Sequence, residues 1–406
     1  MNDQAVVQDF DPTEEETFTS FHEEFARLRQ MCPVARSEAW NGFWAVTKHK
    51  DIVDMLARNH DLYSTQVQNV VPKVAFTGRR PPLHLDPPEH TPYRKALNPF
   101  FTNEKMKKLE PKVRDIVVEL LQPLIEKETF DMSFDYGYRF PAYVFALVFN
   151  LPVDLAMEVK DIGGSNNTLK NTTSRKIDLE TMHKIGKERS LKLYDIARRI
   201  IEDRKAKPQD PGEDIVSALL VAKDQNGNLL PEDMILGMVR QLLLVGMIAP
   251  SVFVGCVAYH LAEHPDIQEM LRQNPHLSAA ATEEYLRLFT PYRGFARTAK
   301  EDVVLGGRLI RKDEPIAIVY ASANRDEEVF PEPDKFILHR PNINQSLAFG
   351  LGTHQCPGAP LARIMMRITL EELLARTRSI EVVGEVKMAR WPEWGTISVP
   401  LKVVPA

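Results

Sequence analysis

Cysteine is scarce: the chain has three, Cys32, Cys256 and Cys356, an odd number set far apart. No disulfide framework and no zinc-type spacing can be built from them, which excludes a disulfide-stapled scaffold and a zinc module and fits a reducing cytoplasm. Excess positive charge is missing too. The formal net charge is −5, which argues against nucleic acid as the main partner. No run reaches the roughly 18 consecutive apolar residues needed to span a bilayer. The opening segment, MNDQAVVQDFDPTEEETF, is acidic and polar, with neither a signal-peptide core nor a membrane anchor. Internal repeats and low-complexity linkers are absent. Residues 1–20 are expected to be a loosely held arm and 21–406 a single domain.

What the chain does have is concentrated in Phe349 to Gly358, FGLGTHQCPG. Ala359, Leu361, Ala362, Ile364, Met365, Ile368 and Leu370 follow at helical spacing, so Cys356 is expected just before a helix, with Pro357 at its first position. Unpaired N–H groups at a helix start favour a thiolate over a thiol. Gly350, Gly352 and Gly358 allow the backbone to turn tightly against a flat partner. A thiolate on such a loop suits a heme iron. His354 could donate a hydrogen bond to a heme carboxylate. The plainer alternative is a buried structural cysteine in a glycine-rich turn.

The decapeptide resembles the signature F-x-x-G-x-H-x-C-x-G of the cytochrome P450 family at every fixed position. The resemblance implies a mainly α fold with a small β region, enclosing heme b (iron protoporphyrin IX) between a long central helix and the cysteine loop. It makes Cys356 the metal ligand, with Phe349, His354 and Gly358 around the cofactor. Three further motifs occur in order. His90 and Arg94 share a helix face and match H-x-x-x-R, a pair for heme carboxylates. Glu284 and Arg287 match E-x-x-R, with Arg340 as the third member of a structural network. Arg297 occupies the second propionate-binding arginine position. By themselves, a His and Arg at that spacing or a single E-x-x-R would be read as solvated surface.

The stretch from Ser64 to Leu85 has no clear period and carries three prolines, and long irregular stretches are usually functional. In the resembled family it roofs the substrate pocket, which makes Val70, Val71, Val74 and Phe76 candidate walls; a surface loop is the alternative. Tyr292, Arg293, Gly294 and Ile397 stand where family members line the pocket. Arg293 is a candidate anchor for anionic substrates, or else a surface arginine. Residues 163–176, GGSNNTLKNTTSRK, should interrupt two helices as a mobile lid.

A single helix is expected from Pro231 to about His264, buried on every side. Its centre should carry A-G-x-[DE]-T, an acid and an alcohol that deliver protons to oxygen in the resembled family. Here the residues are Val245, Gly246, Met247, Ile248 and Ala249. The acid and the alcohol are both missing. Pro250 should kink the helix and free the Gly246 carbonyl to hold water. Ser251, about 200° around from Ala249, replaces the alcohol only if the kink rotates it.

The resemblance implies a cytoplasmic oxygen-dependent monooxygenase acting on a small or medium organic substrate. Electrons would come from a separate ferredoxin-type donor and its reductase, docking on a rim made by Lys95, Lys105, Lys107, Lys108, Lys112, Arg114, Arg363 and Arg367. No membrane or nucleic-acid partner is expected. The missing acid and alcohol keep a second reading open, a peroxide-driven peroxygenase or a heme-based ligand sensor.

Overall fold

The structure, a computed structural model, describes residues 8–14, 21–164, 179–291, 294–389 and 394–406. Helices dominate and small sheets flank them. The helices are α1 Phe21–Met31, α2 His49–Val53, α3 His90–Leu97, α4 Asn103–Glu126, α5 Phe140–Val148, α6 Val153–Gly164, α7 Leu179–Ala206 and α8 Ile215–Val221. They continue with α9 Glu232–Leu244, α10 Ala249–Glu263, α11 Pro265–Gln273, α12 Ser278–Leu288, α13 Tyr320–Ala323 and α14 Ala359–Ala375.

Periodicity explains the core. Val113, Val117, Leu121 and Ile125 recur every four residues along α4 and are all buried. They share a cluster with Phe253, Val254 and Leu261 of α10 and with Ile368 and Leu373 of α14. The Thr102 hydroxyl caps α4 by accepting from the Lys105 amide at 3.3 Å.

The main sheet runs β1 Val34–Ser37, β2 Phe43–Val46, β7 Pro315–Ile318, β4 Ala296–Ala299, β3 Tyr63–Ser64. Among these pairings only β2–β7 is parallel. The expected Gly306-Gly307 turn joins β5 Val303–Leu305 to β6 Arg308–Ile310, with both glycines at positive φ, 55° and 77°.

Three expectations change. The central helix is not continuous: it stops at Leu244 and restarts at Ala249. The cysteine is not followed directly by a helix: α14 begins at Ala359 with Gly358 as its cap, so Pro360, not Pro357, takes the proline-tolerant first turn. Residues 8–14, inside the expected loose arm, are held. The Asp9 carboxylate accepts from the Arg36 amide at 2.6 Å, and Phe10 is buried against Phe25 and Phe43.

Candidate active site

Cys356 closes its loop by donating its amide to the Phe349 carbonyl at 2.9 Å. Gly350 and Gly352 adopt φ of 70° and 72°, conformations in which a side chain is strained. A Cβ on Gly352 would also fall 2.5 Å from the Leu56 carbonyl oxygen. Gly358 has ordinary φ; its bare face lies beside the thiol, 3.9 Å from Sγ to a would-be Cβ. The Arg363 guanidinium covers the Phe349 ring at 4.7 Å. Cys356 itself is accessible to solvent although the fold surrounds it closely. Burial pushes its thiol above the usual range, more than the Gly358 and Ala359 amides and Arg94 and Arg363 pull it down. The helix start therefore assists a thiolate without producing one alone.

Around this cysteine the fold gathers cationic and donor groups. The His90 and His354 rings meet edge to face at 4.6 Å. Arg94 donates to the Gln355 carbonyl at 2.8 Å, and buried Arg297 donates to the Ala296 carbonyl at 2.9 Å. Among the described residues neither arginine has an ion pair, and the buried His90 Nε2 has no partner. Burial lowers both histidines, assisted by Arg94 at His90, which falls to about 4, and by Arg297, His90 and Arg94 at His354, which falls to about 2. Both rings are neutral near pH 7. Burial also lowers Arg94 and Arg297. Buried cations without anions are costly. The set fits the two carboxylates of a heme, and the glycine-lined loop fits its flat ring.

The break in the central helix has a cause. Val245 is extended, with ψ of 148°, and Gly246 has φ of 82°, so the helix ends before Pro250 can kink it. Pro250 sits in the first turn of α10, where it removes no helical bond. The expected freeing of the Gly246 carbonyl by a proline kink does not occur. Instead the Met247 carbonyl accepts from Ser251 Oγ and from Lys160 Nζ, each at 2.6 Å. Lys160 Nζ also lies 2.6 Å from Ser251 Oγ and 5.1 Å from the Tyr138 ring centre. Val245 and Gly246 are exposed at this gap, and Ile248 and Ala249 are half-buried.

Lys160 was not evident as a site residue. Its α6 neighbours Ala156 and Val159 are buried, and Gly163 lets α6 approach α9 so closely that a Cβ would fall 2.1 Å from Leu244 Cδ1. Ala156, Val159, Lys160 and Gly163 follow helical spacing, so a lysine inside an apolar stripe was the available signal. Burial lowers Lys160 to about 7, with Asp161 opposing.

The Glu284, Arg287 and Arg340 side chains are joined and almost wholly buried. Arg287 Nε and Nη2 donate to Glu284 at 2.9 and 2.8 Å, and Arg340 Nε donates to Oε1 at 3.0 Å. Backbone carbonyls of Asn324, Pro333 and Lys335 take further donors.

Of the expected pocket residues, Val71 is buried and donates its amide to the Gly294 carbonyl at 2.8 Å. Val74 and Phe76 are exposed, 44% and 66%. Ile397 is half-buried, and next to it Thr396 Oγ1 donates to the Val252 carbonyl at 3.2 Å, which brings this turn onto α10. Tyr292, Arg293 and most of the lid lie outside the described residues. The basic rim is largely paired. Arg114 bonds Glu371 and Glu372, Arg367 bonds Glu110 and Glu371, and Arg363 bonds Glu283. Lys105 and Lys108 pair with Glu213 and Glu104, while Lys95, Lys107 and Lys112 are exposed and form no ion pair among the described residues.

A family model described as Cytochrome P450 matches residues 19–388. Cytochrome P450 109 of Bacillus spizizenii is 31% identical over 357 residues, 88% of this chain and 84% of the relative. Linalool 8-monooxygenase of Pseudomonas putida is 30% identical over 388 residues, covering 91% and 92%. The solved structure of cytochrome P450 CYP109Q5 from Chondromyces apiculatus shares the fold with a TM-score of 0.84 at 27% identity, covering 98% of each chain.

Proposed function

The chain belongs to the cytochrome P450 family and is a heme-thiolate monooxygenase of organic substrates, and on that premise we propose that it inserts one oxygen atom from O2 into a small or medium organic substrate. A separate ferredoxin-type donor with its reductase supplies electrons, and the enzyme works in the cytoplasm as one domain to which residues 8–14 also belong. The observation that carries this reading is the gathering of His90, Arg94, Arg297 and His354 around Cys356, with no ion pair to either arginine among the described residues. The relative named for linalool supports a small organic substrate.

In this reading Cys356 holds the iron, and His90, Arg94, Arg297 and His354 hold the heme carboxylates. The bound heme supplies the activation of O2 and the transfer of its oxygen atom. Glu284, Arg287 and Arg340 hold the polypeptide that carries the cysteine loop. Protons come from the Lys160 ammonium through the Ser251 hydroxyl, which takes the lysine's proton as its own O–H turns from the Met247 carbonyl to a water at the break, since Ile248 and Ala249 have no exchangeable side-chain proton. A group near neutrality holds and releases a proton at physiological pH. Water entering at the exposed gap, or a hydroxyl of the substrate itself, is a further source.

A second reading, peroxide-driven turnover, is favoured by the same missing acid and alcohol, because peroxide brings its own protons. Turnover with NADH, ferredoxin reductase and ferredoxin, set against turnover with hydrogen peroxide alone, separates the two. Efficient product formation only with peroxide would replace the first reading. The thiolate assignment is tested by the red-shifted Soret band of the reduced carbon monoxide complex, which Cys356→Ala should abolish.

A further inference from the structure

We propose that Arg80, His84, Tyr194 and Arg240 form an anion subsite that holds the carboxylate of an organic substrate. This rests on the monooxygenase reading above and names the class of substrate for the same site.

The segment from Thr77 to His84 is wedged between α7 and α9. Thr77 Oγ1 lies 2.6 Å from Ser190 Oγ of α7. Added Cβ atoms would lie 2.8 Å from the Tyr194 hydroxyl at Gly78 and 2.0 Å from the Arg79 carbonyl at Gly237. The wedge buries two guanidinium groups, with Arg80 8% and Arg240 5% exposed. Arg80 Nη2 donates to His84 Nε2 at 2.9 Å. Arg240 donates to Ser190 Oγ at 3.1 Å and to the Gln241 side-chain oxygen at 3.3 Å, and lies 6.0 Å from the Tyr194 ring centre.

Among the described residues no carboxylate pairs with either arginine, and none is among the groups acting on Arg80, Arg240 or His84. Other buried arginines of the fold, Arg297 apart, are paired: Arg287 and Arg340 share Glu284, and Arg204 has Asp214. The wedge also holds three buried polar atoms without partners, Arg80 Nε, His84 Nδ1 and the Tyr194 hydroxyl. Because a guanidinium only donates, His84 Nε2 accepts and the ring proton sits on Nδ1. Burial and the nearby arginines lower His84 to about 3, so the ring is neutral and Nδ1 is a single free donor.

Two buried cations and three unused donors describe a missing anion. A carboxylate matches them: one negative charge, two oxygens and several acceptor positions suited to a guanidinium fork. The place suits a substrate. Arg240 is five residues before Val245 on α9, about 7 Å along the axis from the exposed break. His84 lies on the chain leading into His90. A molecule anchored by its carboxylate here can extend towards the break. The proposal does not involve Arg293, where the sequence placed the anionic preference and which lies outside the described residues.

Calorimetric titration of the heme-loaded enzyme with hexanoate, decanoate and benzoate, each against its methyl ester, tests the proposal. At least one acid should bind about tenfold or more tighter than its ester. R240Q and R80Q should each bring that pair close to parity while keeping the thiolate carbon monoxide band. Y194F, which leaves both cations in place, should weaken the acid without changing the ester. Should R240Q fail to fold, R80Q and Y194F carry the same comparison. Equal affinities for acid and ester in every pair of the parent, or a preference kept in well-folded R80Q and R240Q, would overturn the subsite. Loss of the carbon monoxide band in the parent would instead overturn the heme-thiolate reading, which the acid–ester comparison does not depend on.

Discussion

Lys160 Nζ and Ser251 Oγ lie 2.6 Å apart, bridging α6 to the first turn of α10 where the central helix is broken. If the pair supplies protons, Lys160→Met, which keeps length and apolar stem, should reduce product formed per reducing equivalent on the order of tenfold, at the low end of what a positioned acid contributes. Peroxide-driven turnover should hardly change. Ser251→Ala should share the defect. Unchanged coupling in Lys160→Met would assign the protons to water or substrate.

The same lysine predicts a pH dependence of stability. Its folded value, about 7, lies below the ordinary lysine value, so between these two the unfolded chain binds more protons than the native state. Stability rises with pH wherever that holds. The parent should therefore gain stability relative to Lys160→Met as pH rises from about 7 to about 10. Subtracting the two cancels groups that do not interact with Lys160. Urea unfolding across this range measures it; a flat difference would mean that Lys160 titrates normally.

The sequence made some parts of this protein legible and hid others for physical reasons. The cysteine loop and the Glu284–Arg287–Arg340 network were visible because each needs fixed residue types at fixed spacing. The break at Gly246 was not. An apolar run reads the same whether a helix continues or restarts, and Pro250 drew the expectation of a kink four residues late. Nothing in the sequence singles out Arg80 and Arg240, because only tertiary packing reveals that no carboxylate meets them among the described residues. The paired rim was hidden likewise: Arg114 meets Glu371 and Glu372 across more than 250 residues of sequence.

Removing Glu284 should be a structural lesion. Glu284→Ala leaves Arg287 and Arg340 buried beside one another without their carboxylate, a change that costs about 3–5 kcal/mol. The expected outcome is less soluble, heme-loaded protein and a lower urea midpoint. Normal stability with altered substrate preference would move Glu284 into the pocket.

The rim should divide by pairing. Charge reversal at Lys107 and Lys112, which form no ion pair among the described residues, should lower ferredoxin-dependent kcat/KM several-fold at low salt. The effect should shrink with ionic strength, and peroxide turnover should be unaffected. Arg367→Ala breaks bonds to Glu110 and Glu371 and should show mainly in stability. Salt-independent loss in the lysine variants would place the docking face elsewhere.

Gly352 and Gly358 separate two demands on the cysteine loop. Gly352 combines φ of 72° with a would-be Cβ 2.5 Å from the Leu56 carbonyl oxygen. Alanine there meets backbone, which cannot swing aside as a side chain can, and the left-handed conformation alone costs about 1–2 kcal/mol. Gly352→Ala should lower the stability of heme-free protein and reduce heme loading together. Gly358 has ordinary φ, and its nearest contact to a Cβ, Cys356 Sγ at 3.9 Å, is unstrained. Gly358→Ala should leave the heme-free protein as stable as the parent. If its bare face is needed beside the bound ring, heme retention alone will fall, read as the absorbance ratio of heme to protein after dilution. Equal damage to both heme-free variants would mean that Gly358 serves the backbone and not the cofactor.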